Sequence, residues 1–399
     1  MKNTYAFIAG NHPALSAAEI ASRWPQAKIS TTGEVIFVAS KAAIEIEPRA
    51  LETLGGSTKL IRVLTGGKKP SPQELLKYIP RGTGKIQLGI SVYPETVKEI
   101  KTLPLGLSIK KLLKEAGHSV RVVTAKTANL SSVVVEKNHL LTDGIELVLI
   151  KNGETWCVGQ TIAVQNFESY GHRDYGRPAR DDRSGMLPPK LAQIMINLSG
   201  TAAAEKTGAT NENASAKTLL DPFCGSGTIL QEAALMGWKD IIGSDISDKA
   251  VSDSKANIAW LKQQYNAPQS AHIQLLAAPV EKLGQQLRQQ SIDAMVFEGN
   301  LGPPSPTEKQ VQSALPQLTT LYVKTFAVCE QLIKTHGTIV AALPSWQFPS
   351  RAITLPLEKI IPVSLKQKTF PGQTARKTFL YGRPQSTVYR EIFVLIKIL

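Results

Sequence analysis

The sequence of 399 residues is poor in cysteine and has no long apolar run. Its three cysteines, Cys157, Cys224 and Cys329, are far apart, odd in number and without a C-x-x-C spacing, which argues against a disulfide framework and against a zinc site. No stretch approaches the roughly 18 apolar residues of a membrane span, and MKNTYAFIAG is too short for a signal peptide. We therefore expect a cytoplasmic protein with reduced thiols, no membrane span and no bound metal.

Acidic residues are also scarce relative to basic ones. The 46 Lys and Arg residues against 32 Asp and Glu residues give a formal net charge of +14. The excess is concentrated, because residues 59–137 hold 15 basic and 5 acidic residues and residues 351–399 hold 9 and 2. Such a positive field favours a polyanion, most often a nucleic acid, and the alternative is a surface of scattered lysines that serves solubility.

The order of predicted elements divides the chain into three parts. Residues 1–60 contain two short apolar strands around the amphipathic stretch LSAAEIASRW, which is typical of a small α+β unit. Residues 61–170 continue with helices and strands separated by Gly and Pro, including the basic helix LSIKKLLKEAG. In residues 171–399, strands and helices alternate from Leu219 onward, which predicts a doubly wound α/β domain with a parallel sheet.

The stretch TLLDPFCGSGTIL predicts a buried strand, a glycine turn and a helix from Thr228. A phosphate-binding P-loop requires lysine directly after its second glycine, and a dinucleotide fingerprint requires glycine where Leu230 stands. A turn that serves packing alone is the remaining alternative. Asp245, at the end of the next predicted strand DIIGSDIS, is placed to accept hydrogen bonds from two ribose hydroxyls. The combination favours a nucleoside-like ligand.

A third predicted strand, DAMVFEGNLGPP, also ends in a carboxylate, Glu298, before a loop of Gly and Pro. Ligands of open α/β sheets bind beyond the carboxyl ends of the strands. We therefore expect Asp221, Asp245 and Glu298 to line one crevice.

Three segments resemble one family. DPFCGSGTIL closely resembles the S-adenosylmethionine-binding motif of class I RNA methyltransferases. RSGMLPPKLAQIMINLSG resembles the segment before the catalytic core of the THUMP-domain tRNA guanine-N2 methyltransferases, and AFIAGNHPALSAAEI resembles their N-terminal start. The resemblance implies a Rossmann-like class I methyltransferase domain preceded by a ferredoxin-like and THUMP region, with S-adenosylmethionine as cofactor and a guanosine N2 in tRNA as target. It leaves open an rRNA target, an RNA-binding homologue without activity, and the need for an activator subunit.

The resemblance also implies roles for individual residues of the cofactor site. Asp245 would accept from the ribose hydroxyls, and Ile246 would lie beside the adenine. The segment Ser184–Pro188, with Met186, would close over the cofactor. The family often has an acidic residue after the third strand, where this sequence has Ala277 and Ala278. The residues expected along the cofactor's methionine and ribose are Asp221, Phe223, Cys224, Gly225 and Gly227.

The family's catalytic loop reads Asp-Pro-Pro-Tyr-Gly, and residues 298–302 stand in its place as Glu-Gly-Asn-Leu-Gly. The carboxylate is retained, whereas the prolines and the aromatic ring are not. The resemblance implies Glu298 as the group that accepts a hydrogen bond from the target amine, with Asn300 as a second acceptor and Leu301 covering the base. Contacts to tRNA phosphates are expected from a basic set comprising Lys110, Lys111, Lys114 and Arg121.

Overall fold

The computed structural model describes residues 4–40, 44–81, 84–125, 127, 129–180, 186–201 and 217–398, which form two compact units. The first unit comprises Met1–Ala17 and Trp24–Ser169, and the second comprises Ala18–Arg23 and Tyr170–Leu399. The division at residue 170 falls beside the predicted start of the last domain. In the part of the chain so described, no helix is long and apolar enough to cross a membrane.

One mixed sheet of eight strands organises the first unit, in the order β2-β3-β1-β4-β8-β7-β5-β6. Its strands are β1 (Thr4–Ala9), β2 (Lys28–Thr32), β3 (Val35–Ala39), β4 (Ser57–Gly67), β5 (Ile86–Tyr93), β6 (Val120–Val123), β7 (Gly144–Asn152) and β8 (Thr155–Val164). The first four helices of the chain are α1 (Pro13–Arg23), α2 (Pro72–Leu75), α3 (Thr102–Glu115) and α4 (Ser132–Lys137).

The predicted boundary between residues 60 and 61 falls inside β4. This strand pairs with β1 on one side and with β8 on the other, so backbone hydrogen bonds join the two predicted segments in one sheet. β4 therefore connects the predicted segments 1–60 and 61–170, and most of both segments lies in the first unit.

The basic helix α3 begins at Thr102, five residues before the predicted start. Pro104 is compatible with this position because the first turn of a helix needs no hydrogen bond from its backbone nitrogen. Gly106, Ile109 and Leu113 are buried at helical spacing. A Cβ on Gly106 would lie 2.8 Å from Val122 Cγ1, so a glycine is needed where the helix approaches β6.

A buried ion pair joins two strands of the first sheet, and the sequence analysis did not anticipate it. Lys59 of β4 and Glu146 of β7 are 2% and 0% exposed, and Lys59 Nζ lies 2.5 Å from Glu146 Oε1. Ser91 Oγ donates to Oε1 at 2.5 Å, and Thr161 Oγ1 donates to Oε2 at 2.6 Å. Both carboxylate oxygens therefore have partners, as a buried charge requires.

Strands and helices alternate along residues 218–347 of the second unit, which confirms the predicted α/β class. The strands are β9 (Thr218–Asp221), β10 (Asp240–Asp245), β11 (His272–Ala277), β12 (Ile292–Glu298), β13 (Ile333–Gln347), β14 (Ala352–Thr354), β15 (Leu365–Lys368), β16 (Phe379–Tyr381) and β17 (Val388–Lys397). The helices are α5 (Phe167–Tyr175), whose first residues lie in the first unit, α6 (Pro189–Leu198), α7 (Thr228–Leu235), α8 (Asp248–Gln264), α9 (Leu283–Gln286), α10 (Glu308–Leu332) and α11 (Leu357–Ile360).

The second sheet has the order β11-β10-β9-β12-β13-β17-β15, with β14 on β13 and β16 on β17. The five strands from β11 to β13 are parallel, and β17 is antiparallel to its neighbours. From β9 the chain continues to β10 and β11 on one side and then to β12 and β13 on the other. Such a reversal opens a crevice beyond the carboxyl ends of the two central strands, β9 and β12.

Candidate functional site

Two glycines shape the turn between β9 and α7. Gly225 and Gly227 have φ angles of +51° and +84°, a left-handed region that favours glycine. A Cβ on Gly227 would lie 2.7 Å from Ser254 Oγ, whereas a Cβ on Gly225 would meet nothing within 4 Å. Ser254 Oγ, from α8, also donates to the Gly225 carbonyl at 2.8 Å. Gly227 therefore packs closely against α8, whereas the space beside the Gly225 Cα is empty.

Two carboxylates hold the backbone around this turn. Asp245 Oδ2 accepts from Gly225 N at 3.0 Å, and its Oδ1 accepts from Ser247 N at 2.9 Å. Asp221 Oδ1 accepts from Phe223 N at 3.0 Å. Burial raises the pKa of Asp221 well above its usual range, the Phe223 N–H opposes this shift, and the charges of Asp245 and Glu298 add to it. The end of the sheet therefore carries three carboxyl groups close enough to interact.

A cleft of about 600 Å³ lies at this end of the sheet. The predicted residues that line it are Met186, Asp221, Phe223, Cys224, Gly225, Asp245, Ile246, Glu298, Asn300 and Leu301. Gly227 and Pro188 do not line it, since Gly227 caps α7 against α8 and Pro188 precedes α6. The predicted contact of Ser184 lies outside the described residues.

The cleft contains an acidic residue that the sequence analysis missed. Ala277 ends β11 and Ala278 follows it, but Glu281 comes next in a short 3-10 helix and lines the same cleft. A partial signal was present, because Glu281 is a carboxylate soon after an apolar run, whereas Asp245 is the last residue of its strand. The rim also contains Ile246, which is 76% exposed although apolar.

The loop after Glu298 is fixed by α10 rather than by prolines. A Cβ on Gly299 would lie 2.5 Å from Tyr322 Oη, and this hydroxyl donates to the Asn300 carbonyl at 2.7 Å. Asn300 Oδ1 accepts from Gly302 N at 2.8 Å, which stabilises the left-handed φ of +76° at Gly302. The Asn300 side-chain oxygen is therefore engaged within its own loop.

Arg390 of β17 pairs with Glu298 at the edge of the cleft. Its Nε donates to Glu298 Oε2, and its Nη2 donates to Oε1 at 3.3 Å. The two side chains are only 16% and 14% exposed. Burial raises the pKa of Glu298, and the Arg390 charge and hydrogen bonds oppose this shift. Sequence reasoning missed Arg390 because no local pattern connects positions so far apart.

The residues that line the cleft fit the cofactor that the sequence indicates. Asp245 supplies carboxylate oxygens at the end of β10, Gly225 leaves the backbone open, and Ile246 offers an apolar surface. These are the groups that a ribose, a charged amino acid and an adenine ring would contact. Among the described residues, no group of three or more His, Cys, Asp or Glu side chains could hold a metal ion.

Parts of the chain are similar to known methyltransferases. Residues 213–381 match the family model described as a methyltransferase domain. The tRNA (guanine(10)-N2)-dimethyltransferase of Methanocaldococcus jannaschii is 26% identical over 236 residues, 59% of this chain and 56% of that protein. The enzyme of the same name from Methanothermobacter thermautotrophicus is 40% identical over 74 residues, 18% of each chain.

A likeness in fold extends further than these sequence matches. The crystal structure of TrmN from Thermus thermophilus aligns with 99% of this chain and 100% of its own, with a TM-score of 0.52 and 16% identity. The curated relatives are matched over at most just over half of their length, and the THUMP assignment of the first unit stays a prediction. The second unit therefore contains a Rossmann-like domain that matches a methyltransferase model, and part of the chain is similar in sequence to enzymes named tRNA (guanine(10)-N2)-dimethyltransferase.

Proposed function

We propose that this protein is a cytoplasmic, S-adenosylmethionine-dependent RNA methyltransferase that modifies the exocyclic N2 of a guanosine in tRNA. One observation carries the proposal: the same cleft is lined by Asp245 and Gly225, which suit the cofactor, and by the Glu298 carboxylate at the end of β12. The two relatives named for guanine-N2 methylation support the choice of target.

Within this proposal, the cofactor is held by the ends of β9, β10 and β11. Asp245 accepts from its ribose hydroxyls, Ile246 covers one face of its adenine, and Glu281 accepts from the adenine amine in place of the acidic residue expected after the third strand. The open backbone at Gly225 admits its amino-acid part. When bound, the cofactor supplies an electrophilic methyl group on a sulfonium ion.

The protein's task is then to make a poor nucleophile reactive. The lone pair of a guanine amine is delocalised into the ring, so the amine must be held in line and its hydrogens must have an acceptor. Glu298 is that acceptor, and its negative charge stabilises the positive charge that develops on nitrogen. Leu301 covers the base by apolar contact. Tyr322 holds the loop that follows Glu298 and contains Leu301, because its hydroxyl donates to the Asn300 carbonyl.

The direct test is methylation of an unmodified tRNA transcript by the purified protein, followed by nucleoside mass spectrometry. We expect N2-methylguanosine or N2,N2-dimethylguanosine in the tRNA and much less in an rRNA fragment of equal length. Methylation of the rRNA fragment without methylation of the tRNA would show that rRNA is the substrate. Binding of tRNA without transfer of a methyl group, in protein that binds the cofactor, would favour a non-catalytic RNA-binding role.

Asp245→Ala is expected to weaken S-adenosylmethionine binding about 10- to 100-fold. The substitution removes a charged acceptor, and hydrogen bonds to charged groups are worth about 1.5–3 kcal/mol. Isothermal titration calorimetry measures the affinity, with circular dichroism to verify the fold. Asp248→Ala is the matched control, because Asp248 carries the same charge three residues later and does not line the cleft. Equal affinities for the two variants would remove Asp245 from the cofactor site.

Replacing Lys111, Lys114 and Arg121 with alanine is expected to weaken tRNA binding and to flatten its salt dependence. All three are exposed, on α3 and on the adjacent β6, whereas Lys110 is half-buried. Each lost phosphate contact should lower the slope of log affinity against log salt by about 0.7–0.9. Alanine at three exposed lysines of the second unit, Lys309, Lys324 and Lys359, is the control. An identical slope for both triple variants would contradict the proposed RNA surface.

A further inference from the structure

We propose that Arg390 is a positioning residue that holds the Glu298 carboxylate ionised and oriented for methyl transfer. This inference rests on the proposed function, in which Glu298 accepts from the target amine. Nothing in the sequence or in the comparisons assigns a role to Arg390. The geometry of the second sheet and the burial of the pair carry the proposal.

The topology of the sheet brings Arg390 to Glu298, a residue that lines the cleft. Glu298 ends β12 and pairs with Ala342 of β13, while Arg390 lies on β17, opposite Pro344 of the same strand. The two residues are thus two strands apart, a span of about 10 Å across a sheet. A long guanidinium side chain covers this distance and places two nitrogens against the two carboxylate oxygens. The fork matches the planar carboxylate and fixes its rotation.

The surroundings of Glu298 would otherwise favour its neutral form. Among the residues that the structure describes, four titratable groups act on it or are acted on by it: Asp221 of β9, Tyr322 of α10, Tyr381 of β16 and Arg390 of β17. Asp221 is a second buried carboxyl group, and the Tyr322 hydroxyl is held neutral because burial, with the Glu298 charge, raises its pKa. Arg390 is the cation that opposes the cost of burying the Glu298 charge.

The protonation state decides what Glu298 does. A carboxylate accepts at up to about four lone-pair sites, so the two bonds from Arg390 leave acceptor capacity for an amine. A protonated carboxyl group instead presents a hydrogen to the amine and carries no charge to stabilise a positive nitrogen. Loss of Arg390 would therefore disable Glu298 in the pH range where burial keeps it protonated.

The test is the pH dependence of kcat for Arg390→Gln and Arg390→Lys. Activity that needs the carboxylate is present above the pKa of Glu298 and falls as the pH drops through it. Removing Arg390 raises that pKa, so the acidic limb of the Arg390→Gln profile should move up by about one pH unit or more. An upward shift of one pH unit lowers kcat about tenfold on the acidic limb, and kcat recovers at alkaline pH. Arg390→Lys keeps the charge without the fork and should show a smaller shift.

Two controls separate this role from a structural one. Arg351→Gln breaks an exposed ion pair with Glu308 in the same unit and should leave the profile unchanged. The double variant Arg390→Gln/Glu298→Gln removes the buried charge, so its unfolding midpoint tests whether Arg390→Gln alone is merely unstable. An equal fall of kcat at every pH in folded Arg390→Gln would overturn the proposal.

A titration of the carboxyl carbon distinguishes failure of this inference from failure of the proposed function. In protein labelled with carboxyl-13C glutamate, the Glu298 signal is identified by its loss in Glu298→Gln. We expect it to titrate at higher pH in Arg390→Gln than in the unmodified protein, with or without any methyltransferase activity. An unchanged titration would reject the role of Arg390, whereas a shifted titration in a protein that methylates no RNA would reject only the proposed function.

Discussion

Glu298→Gln is expected to lower kcat for methyl transfer by about 10²- to 10⁴-fold, the contribution typical of a positioned acid–base group. Glutamine keeps the size and one carbonyl acceptor but loses the charge that stabilises the developing positive nitrogen. Affinities for cofactor and tRNA should stay nearly unchanged, because this interaction is strongest in the transition state. Single-turnover rates with saturating tRNA measure the effect.

Two further variants locate the reacting group. Glu281→Gln changes the same charge in the same cleft and should weaken cofactor binding rather than slow transfer. Asn300→Ala should have a smaller effect, since the Asn300 side-chain oxygen already accepts from Gly302. Loss of turnover in Asn300→Ala together with a fully active Glu298→Gln would show that Asn300 is the acceptor. Full activity in both would place the catalytic loop elsewhere.

Glu146→Ala is expected to destabilise the first unit by about 3–5 kcal/mol, because it leaves the Lys59 ammonium buried without its partner. This is a large part of the 5–15 kcal/mol or so by which a domain is usually stable. Urea unfolding monitored by circular dichroism measures the loss.

The exposed pair of Lys151 and Glu99 provides the control for Glu146. Glu99 is 48% exposed in that pair, so Glu99→Ala should barely change the unfolding midpoint. The double variant Lys59→Met/Glu146→Leu removes both buried charges and should recover much of the stability lost in Glu146→Ala. An unchanged midpoint for Glu146→Ala would mean that water reaches Lys59 in the folded protein.

The sequence predicted the parts of the cleft that follow from strand ends. Asp221, Asp245 and Glu298 each close an apolar run, and parallel strands end at the same edge of a sheet. Apart from Glu281, the groups it did not predict come from positions distant in the sequence. Arg390 contacts Glu298 from an antiparallel strand. Tyr322 contacts the loop at Asn300 from the interior of a long helix, where its spacing is that of an ordinary core residue.

The first unit shows the same limit. A lysine and a glutamate in separate strands look like surface residues in any local window, and only the pairing of β4 and β7 with β8 places Lys59 beside Glu146. The predicted boundary at residue 60 falls within a strand for a related reason. Gly55 and Gly56 mark a turn, but the strand that follows them continues the sheet of the preceding residues.

The antiparallel strand β17 has a consequence for the order in which the second unit is completed during synthesis. β15 leaves the ribosome before β17, yet in the described part of the chain β17 is its neighbour in the sheet. β15 therefore joins the sheet only after residues 388–397 have been made. Arg390 lies on β17, which is synthesised after the other strands of the described chain. A nascent chain therefore contains the glycine turn and Glu298 before it contains Arg390, the cation that pairs with Glu298.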